Sequence, residues 1–430
     1  MITMDPAPEF TPILVLGDAP NLTTGLARIA RDLVKGLFLD SELGILPIRV
    51  AQLGYGYDGS PYPWPVFPVM DVENWAHDDI ERTWRWFAGD RPGILLTVWD
   101  PARCIGASSV DVPGLHRWGY FAIDGDNHYG RIGGPAAAAL KAYDRILAYS
   151  RFGAGVIKNT LQRPSVDWLP HGISFDVFRP RGVEDLVQLA HGFHTWAGSK
   201  YQKTSCRIGC VTTNQSRKDL GTLFEAVELV RIALQRQETD VALWLHVDRI
   251  HTRDWSIPEL AEVFHLNSDA LWVTTPPVDD VELAVMYTQC DVTFAPGLGE
   301  GFGYPIAESL ACGTPVVHVD YAAGAEIVPK QEWLSPGRLY RYEGPYVIRR
   351  PLLSSWNVHE RMLKAALLSS ELGVEAARDY CRGSVAHLDW KYLWPRWRSW
   401  VKRGLEELEE LGVGKVGEVP KEEEEQDATT

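Results

Sequence analysis

The sequence predicts an α/β protein made of two Rossmann-like doubly wound domains facing across a cleft. Three observations carry this prediction. Short β-branched runs alternate with amphipathic stretches, as in parallel sheets covered by helices. The alternation pauses over residues 181–205 and then restarts with the same rhythm. The chain has 430 residues, too many for one hydrophobic core and a comfortable length for two domains.

In chain order, "ILVLG" (13–17), "GILLTVW" (93–99), "RWGYFAID" (117–124), "RILAYS" (145–150) and "VDWLP" (166–170) read as strands buried on both faces. "LARIARDLVKGLF" (26–38) has its apolar residues at helical spacing. After the strandless 181–205, the rhythm resumes with "CRIGCVT" (206–212) and a helix from Asp219 to about Gln237. "VALWLHV" (241–247), "ALWVT" (270–274), "DVTFAP" (291–296) and "PVVHVD" (315–320) complete the series. The expected organisation is a first domain over 10–180, a linker over 181–205 and a second domain over 206–385. A C-terminal helix over 386–412 and an unstructured acidic tail over 413–430 follow. In such sheets ligands bind beyond the carboxyl ends of the strands, so candidate chemistry is sought there.

Composition narrows the function classes. Hydrophobic residues at 45% and charged residues at 23% are globular proportions. Apolar runs such as Ile94 to Trp99 are too short to cross a bilayer, and the N-terminus lacks a basic-then-apolar leader pattern, so a cytoplasmic location is expected. The six cysteines form no CxxC pair and have no histidine at zinc spacing, which reads as free thiols and no structural metal. A net charge of -15 argues against general affinity for nucleic acid, although part of it lies in the terminal "EVPKEEEEQDATT".

The stretch "GLGEGFGYPIAESLACGTPVVHVD" (297–320) is the most informative. Gly297, Gly299, Gly301 and Gly303 follow a strand and precede a helix, and Asp320 ends the next strand, as in a dinucleotide-binding loop. The spacing does not fit GxGxxG, because positions 302 and 304 are Phe and Tyr. Glu300 would also oppose a pyrophosphate. A carboxylate there suits a neutral ligand rich in hydroxyls, such as a sugar. Glu308, in the helix that starts near Tyr304, can accept from the two hydroxyls of a ribose. The amides of Gly301, Phe302, Gly303 and Tyr304 at the helix start face an anionic diphosphate.

"EGFGYPIAE" followed by "SLACGTPVV" resembles the Glu-x7-Glu signature of retaining GT-B glycosyltransferases, the family 4-like enzymes of glycosyl transferases group 1. "VTTNQSRKDLGTLFEAVELV" (211–230) is similar to that family's diphosphate-binding segment, which implies that Arg217 and Lys218 stabilise the departing diphosphate. "GDAPNLTTGLARIARDL" (17–33) resembles the first glycine-containing loop, with Gly25 opening a helix toward the donor phosphates, and "LPHGISFDVFRP" (169–180) the stretch that closes the first domain. The similarity spans residues 13 to about 320. It implies a GT-B fold and a final helix, "DWKYLWPRWRSWVKRGLEELEELG" (389–412), crossing back to the first domain with Pro395 kinking or starting it.

The implied activity is retaining transfer of a sugar from a nucleotide diphosphate sugar, UDP-linked first and GDP-linked second, to an acceptor hydroxyl. No further cofactor is implied. The resemblance implies a first-domain residue, often a histidine, in contact with the donor sugar near its reacting carbon, and in "YFAIDGDNHYGR" (120–131) His128 and then Asp124 are the candidates; a histidine that only ties down the loop explains His128 equally well. Asp124 and Asp126 also form an Asp-x-Asp of the kind that binds metal in another glycosyltransferase fold, but the basic pair would already neutralise the diphosphate, so no metal is expected. Acceptor recognition falls to the first domain, where Tyr55, Tyr57, Tyr62, Trp64, Trp99 and Asp100 offer stacking faces and a carboxylate. A proline-rich loop packed on its own rings explains these aromatics equally well. Among acceptors, a glycan, lipid-linked sugar, small metabolite or hydroxylated nucleic-acid base all fit. A phosphorylase or epimerase on the same fold, or a noncatalytic sugar-nucleotide-binding protein, are the competing readings.

Overall fold

The structure, a computed structural model, describes residues 10–187, 192, 204–235, 240–266, 268, 270–344 and 346–411. Most of the expected linker, and the acidic tail from 413 onward, lie outside them.

The first sheet comprises β1 (Thr11–Asp18), β2 (Ile48–Tyr55), β3 (Val66–Pro68), β4 (Gly93–Trp99), β5 (Leu115–Phe121), β6 (Arg145–Ala148) and β7 (Asp167–Trp168). Its seven strands run parallel in the order β3-β2-β1-β4-β5-β6-β7. β1 and β4 are buried almost end to end because helices cover both faces. One of these helices, Gly25–Glu42, begins where the Thr24 side chain accepts from the Ala27 amide at 3.1 Å. It turns Ile29, Ala30, Leu33, Val34 and Leu37 onto the sheet.

The second sheet repeats the plan with β8 (Thr204–Thr212), β9 (Asp240–Val247), β10 (Leu271–Thr274), β11 (Val292–Ala295), β12 (Val316–Val319) and β13 (Leu334–Ser335). Its order is β10-β9-β8-β11-β12-β13, again all parallel. In both sheets the order reverses beside the first strand, which opens a crevice there.

Three features depart from the sequence reading. β2 and β3 were not foreseen: they flank the proline-rich 56–65, whose turn chemistry masks them. β7 is reduced to a two-residue edge strand. An antiparallel hairpin, β14 (Leu339–Glu343) and β15 (Ile348–Leu352), extends from the second domain to the first, where Arg349 meets Asp126 at 2.8 Å.

The last helix, Trp390–Glu410, packs on the first domain with Pro395 inside it. Trp400 lies edge-on to Trp118 at 5.2 Å and Trp397 to Tyr120 at 4.5 Å. Arg398 pairs with Asp40 at 2.7 Å. The tryptophans of "WKYLWPRWRSW" that are most deeply buried, Trp397 and Trp400, thus serve packing. All six cysteines are free and buried. Among the described residues no helix is long and apolar enough to cross a membrane.

Candidate functional site

The site is built where β11 ends and the helix Tyr304–Ala311 begins. Gly303 caps that helix at φ 107°, a left-handed conformation that strains any residue with a side chain. Gly299 is required for a different reason. A Cβ built there would overlap the carbonyl oxygen of Asp124, so the second-domain loop and the first-domain loop after β5 touch at backbone level.

Glu300 is enclosed by its own domain. Lys218 Nζ bonds its Oε1, and Arg217 lies 3.7 Å from its Oε2. Both cations come from the single turn Ser216–Lys218 that follows β8. The Leu298 amide donates to the Arg217 carbonyl at 2.8 Å and Arg217 Nη1 donates to the Gly299 carbonyl at 3.1 Å, which fixes the two loops together. Burial pushes the Glu300 carboxyl up, but Lys218 and Arg217 prevail and hold it at about 2. Burial, then the neighbouring Arg217, pushes the Lys218 ammonium below its ordinary value against the pull of Glu300.

Glu308 is enclosed from the other side of the cleft. Its Oε1 accepts from Arg28 of the first-domain helix, its Oε2 accepts from the Tyr287 hydroxyl at 3.1 Å, and its side chain is 4% exposed. Arg28 also pairs with Asp280, and its guanidinium lies 5.0 Å from the Tyr304 ring centre and 5.5 Å from that of Phe178. Burial raises the Glu308 carboxyl above its usual range, with Arg28 opposing. Gly25 adjoins the same place: a Cβ there would be 3.5 Å from the Tyr304 ring.

Phe302 stacks on His171 at 3.9 Å between ring centres. His171 is fully buried, with Nδ1 3.2 Å from the Tyr120 hydroxyl and Nε2 without a hydrogen-bond partner, and burial pushes its pKa well below the ordinary value. Neither Arg28 nor His171 was singled out from the sequence. Arg28 lies one helical turn past the Gly25 loop, and that spacing was the available signal. His171 sits inside "LPHGISFDVFRP", where nothing local separates it from a packing residue.

The first-domain candidates divide. Asp124 is joined to the site, because Arg350 bonds both its carboxylate, at 3.0 Å, and its carbonyl, at 2.6 Å, beside Gly299. Asp126 is held by Arg349 at 2.8 Å and by the Tyr321 hydroxyl at 2.7 Å. His128 is exposed, and its ring contact is with Tyr129 at 3.6 Å rather than with Glu300 or the basic pair. Among the described residues no group of three or more His, Cys, Asp and Glu is placed to hold a metal ion. Of the aromatics, Trp64 and Trp99 are buried in the first-domain core, while Tyr55 remains half-buried with its ring 5.7 Å from Trp75.

Two parallel doubly wound sheets, facing each other through a glycine-rich loop and closed by a returning C-terminal helix, define the GT-B fold. Solved structures agree. Sucrose-phosphate synthase from Thermosynechococcus elongatus superposes with a TM-score of 0.65 at 14% identity over 92% of this chain and 100% of that one. Anabaena HepE, solved in complex with UDP and glucose, gives 0.62 at 12% identity over 93% of this chain and 100% of that one. Residues 205–340 match the model of the family described as Glycosyl transferases group 1. A D-inositol 3-phosphate glycosyltransferase of Arthrobacter sp. (strain FB24) is 28% identical over 156 residues, 35% of this chain and 33% of that protein. A protein of the same name from Pseudarthrobacter chlorophenolicus is 28% identical over 152 residues, with the same coverage. The chain therefore matches about a third of the length of these relatives.

Proposed function

We propose that the protein is a glycosyltransferase that moves a sugar from a nucleotide diphosphate sugar to an acceptor hydroxyl with retention of configuration. The observation that carries this reading is the convergence of Arg217, Lys218 and Glu300 at the carboxyl ends of β8 and β11, with Glu308 in the helix that follows. In this reading Glu300 accepts from hydroxyls of the transferred sugar and Glu308 from the ribose. The start of the helix Tyr304–Ala311 faces the diphosphate.

During transfer the bond between the anomeric carbon and the diphosphate oxygen breaks, and negative charge grows on the leaving group. Lys218 and Arg217 stand ready to meet that charge, exchanging Glu300 for phosphate oxygens. The acceptor oxygen attacks from the same face and its proton passes to the leaving phosphate. Neutralisation by this pair, and the engagement of Asp124 and Asp126 by Arg350 and Arg349, support a reaction without a required metal. A UDP-linked donor is the first choice and a GDP-linked donor the second; the UDP complex of HepE supports that order. The acceptor is placed against the first domain near Tyr55 and Asp100. A complete basic pair beside both glutamates favours catalysis over simple nucleotide-sugar binding.

The test is the double substitution Arg217→Ala with Lys218→Ala, assayed for donor turnover with a panel of UDP- and GDP-sugars. Losing preorganised charge stabilisation is expected to lower turnover by roughly 100-fold or more. Unchanged turnover in a correctly folded double variant would remove the leaving-group role.

A further inference from the structure

Arg28 belongs to the first domain, yet its ion pairs are with the second. Its two terminal nitrogens are divided between Glu308 and Asp280, and its guanidinium lies 5.0 Å from the ring centre of Tyr304 and 5.5 Å from that of Phe178. On Glu308, Arg28 takes Oε1 and Tyr287 takes Oε2, which leaves the side chain 4% exposed. A ribose diol needs two acceptor positions on that carboxylate and an open approach to it. The guanidinium fills the approach and donates from one terminal nitrogen to Oε1, an acceptor position that a ribose hydroxyl would otherwise take.

We propose that Arg28 occupies the ribose position on Glu308, so that a nucleoside diphosphate must displace it and Arg28 sets donor affinity. The inference rests on the reading of Glu308 as the ribose carboxylate. Displacement does not strand the cation, because the Arg28 side chain is already 20% exposed and meets water as the cleft opens. The two states are mutually exclusive, so apparent affinity equals intrinsic affinity scaled by the fraction of molecules with Glu308 free. If that fraction is about 10–20%, the penalty is roughly 5- to 10-fold.

The experiment uses the full chain as wild type, Arg28→Ala, Arg28→Lys and Glu308→Ala, with thermal melting to check each fold. Calorimetry with free UDP and free GDP measures affinity, and small-angle scattering without ligand measures closure. Arg28→Ala is expected to bind the better of the two diphosphates roughly 5- to 10-fold more tightly and to scatter as a more extended particle. Arg28→Lys, which keeps the charge but loses the paired donors, should fall between, and it carries the test if the alanine variant does not fold. Equal or weaker binding by the Arg28 variants overturns the proposal. If Glu308→Ala leaves wild-type affinity unchanged, the ribose assignment fails instead. Scattering then decides separately whether Arg28 holds the domains together, and an identical profile for Arg28→Ala overturns that part.

Discussion

Glu300 and Glu308 lie on one short loop and helix, but they are neutralised in different ways. Glu300 is held by Lys218 and Arg217 from its own domain, so its environment persists whether the cleft is open or closed. Glu308 is held by Arg28 from the other domain, so its environment changes with every movement of one domain against the other. One half of the site is preorganised for charge, which is where electrostatic catalysis gains most. The other half is conditional, because its ion pair spans the two domains, and in the proposed function it would tie ligand binding to domain position.

Forcing the domains apart without touching either carboxylate would break this comparison most strongly. In Gly299→Ala the new methyl group collides with the Asp124 carbonyl of the facing domain, backbone that cannot rotate away. Turnover should fall roughly 10- to 100-fold, the cost of misplacing reacting groups by about an ångström. Affinity for free diphosphate should not weaken, because the Glu300 half is intact and Glu308 is uncovered. Steady-state kinetics beside calorimetry reads both, and a loss of affinity equal to the loss of turnover would show that the halves are not separable.

A smaller effect sharpens the contrast through pH. The Glu300 carboxyl is depressed from 4.5 to about 2 by Lys218 and Arg217 against burial, so its contribution to stability is present above 4.5 and lost as pH falls toward 2. Glu308 is shifted the other way by burial, so its ionisation penalises the fold as pH rises above its unfolded value. Melting temperatures of Glu300→Gln and Glu308→Gln relative to wild type should therefore drift in opposite directions between pH 7 and pH 3. The deficit of Glu300→Gln narrows on acidification and that of Glu308→Gln widens. Parallel drifts would contradict the different environments described here.

The fold class was legible because β1, β4 and β9 are near-continuous apolar runs, the mark of strands covered on both faces. β2 and β3 were hidden by the prolines and glycines between them, β14 by charged and aromatic residues that alternate on an exposed strand, and β15 by its two arginines and a proline. The glycine loop, the paired glutamates and the basic turn were visible because each is contiguous in sequence. Arg28 was not, since its partners Asp280 and Glu308 are more than 250 residues away and helical spacing predicts its face rather than its contact. His128 was singled out because the resembled family places a first-domain residue, often a histidine, at the donor sugar, yet the structure leaves it exposed while His171 is the one enclosed beside Phe302. Local pattern identifies candidate groups, and only the packing of the two domains decides which of them meet.

In the proposed function the loop binds a nucleotide diphosphate sugar with Glu300 on the sugar and Glu308 on the ribose. Calorimetry of Glu300→Ala and Glu308→Ala with free UDP and GDP, beside kinetics with the full donor, separates the two roles. Glu300→Ala should spare diphosphate affinity and depress turnover, whereas Glu308→Ala should weaken diphosphate affinity by roughly 1 to 3 kcal/mol, the loss of hydrogen bonds to a charged group. Loss of diphosphate binding in Glu300→Ala with retention in Glu308→Ala would exchange the two roles, and no change of binding or turnover in either variant would contradict the account at its centre.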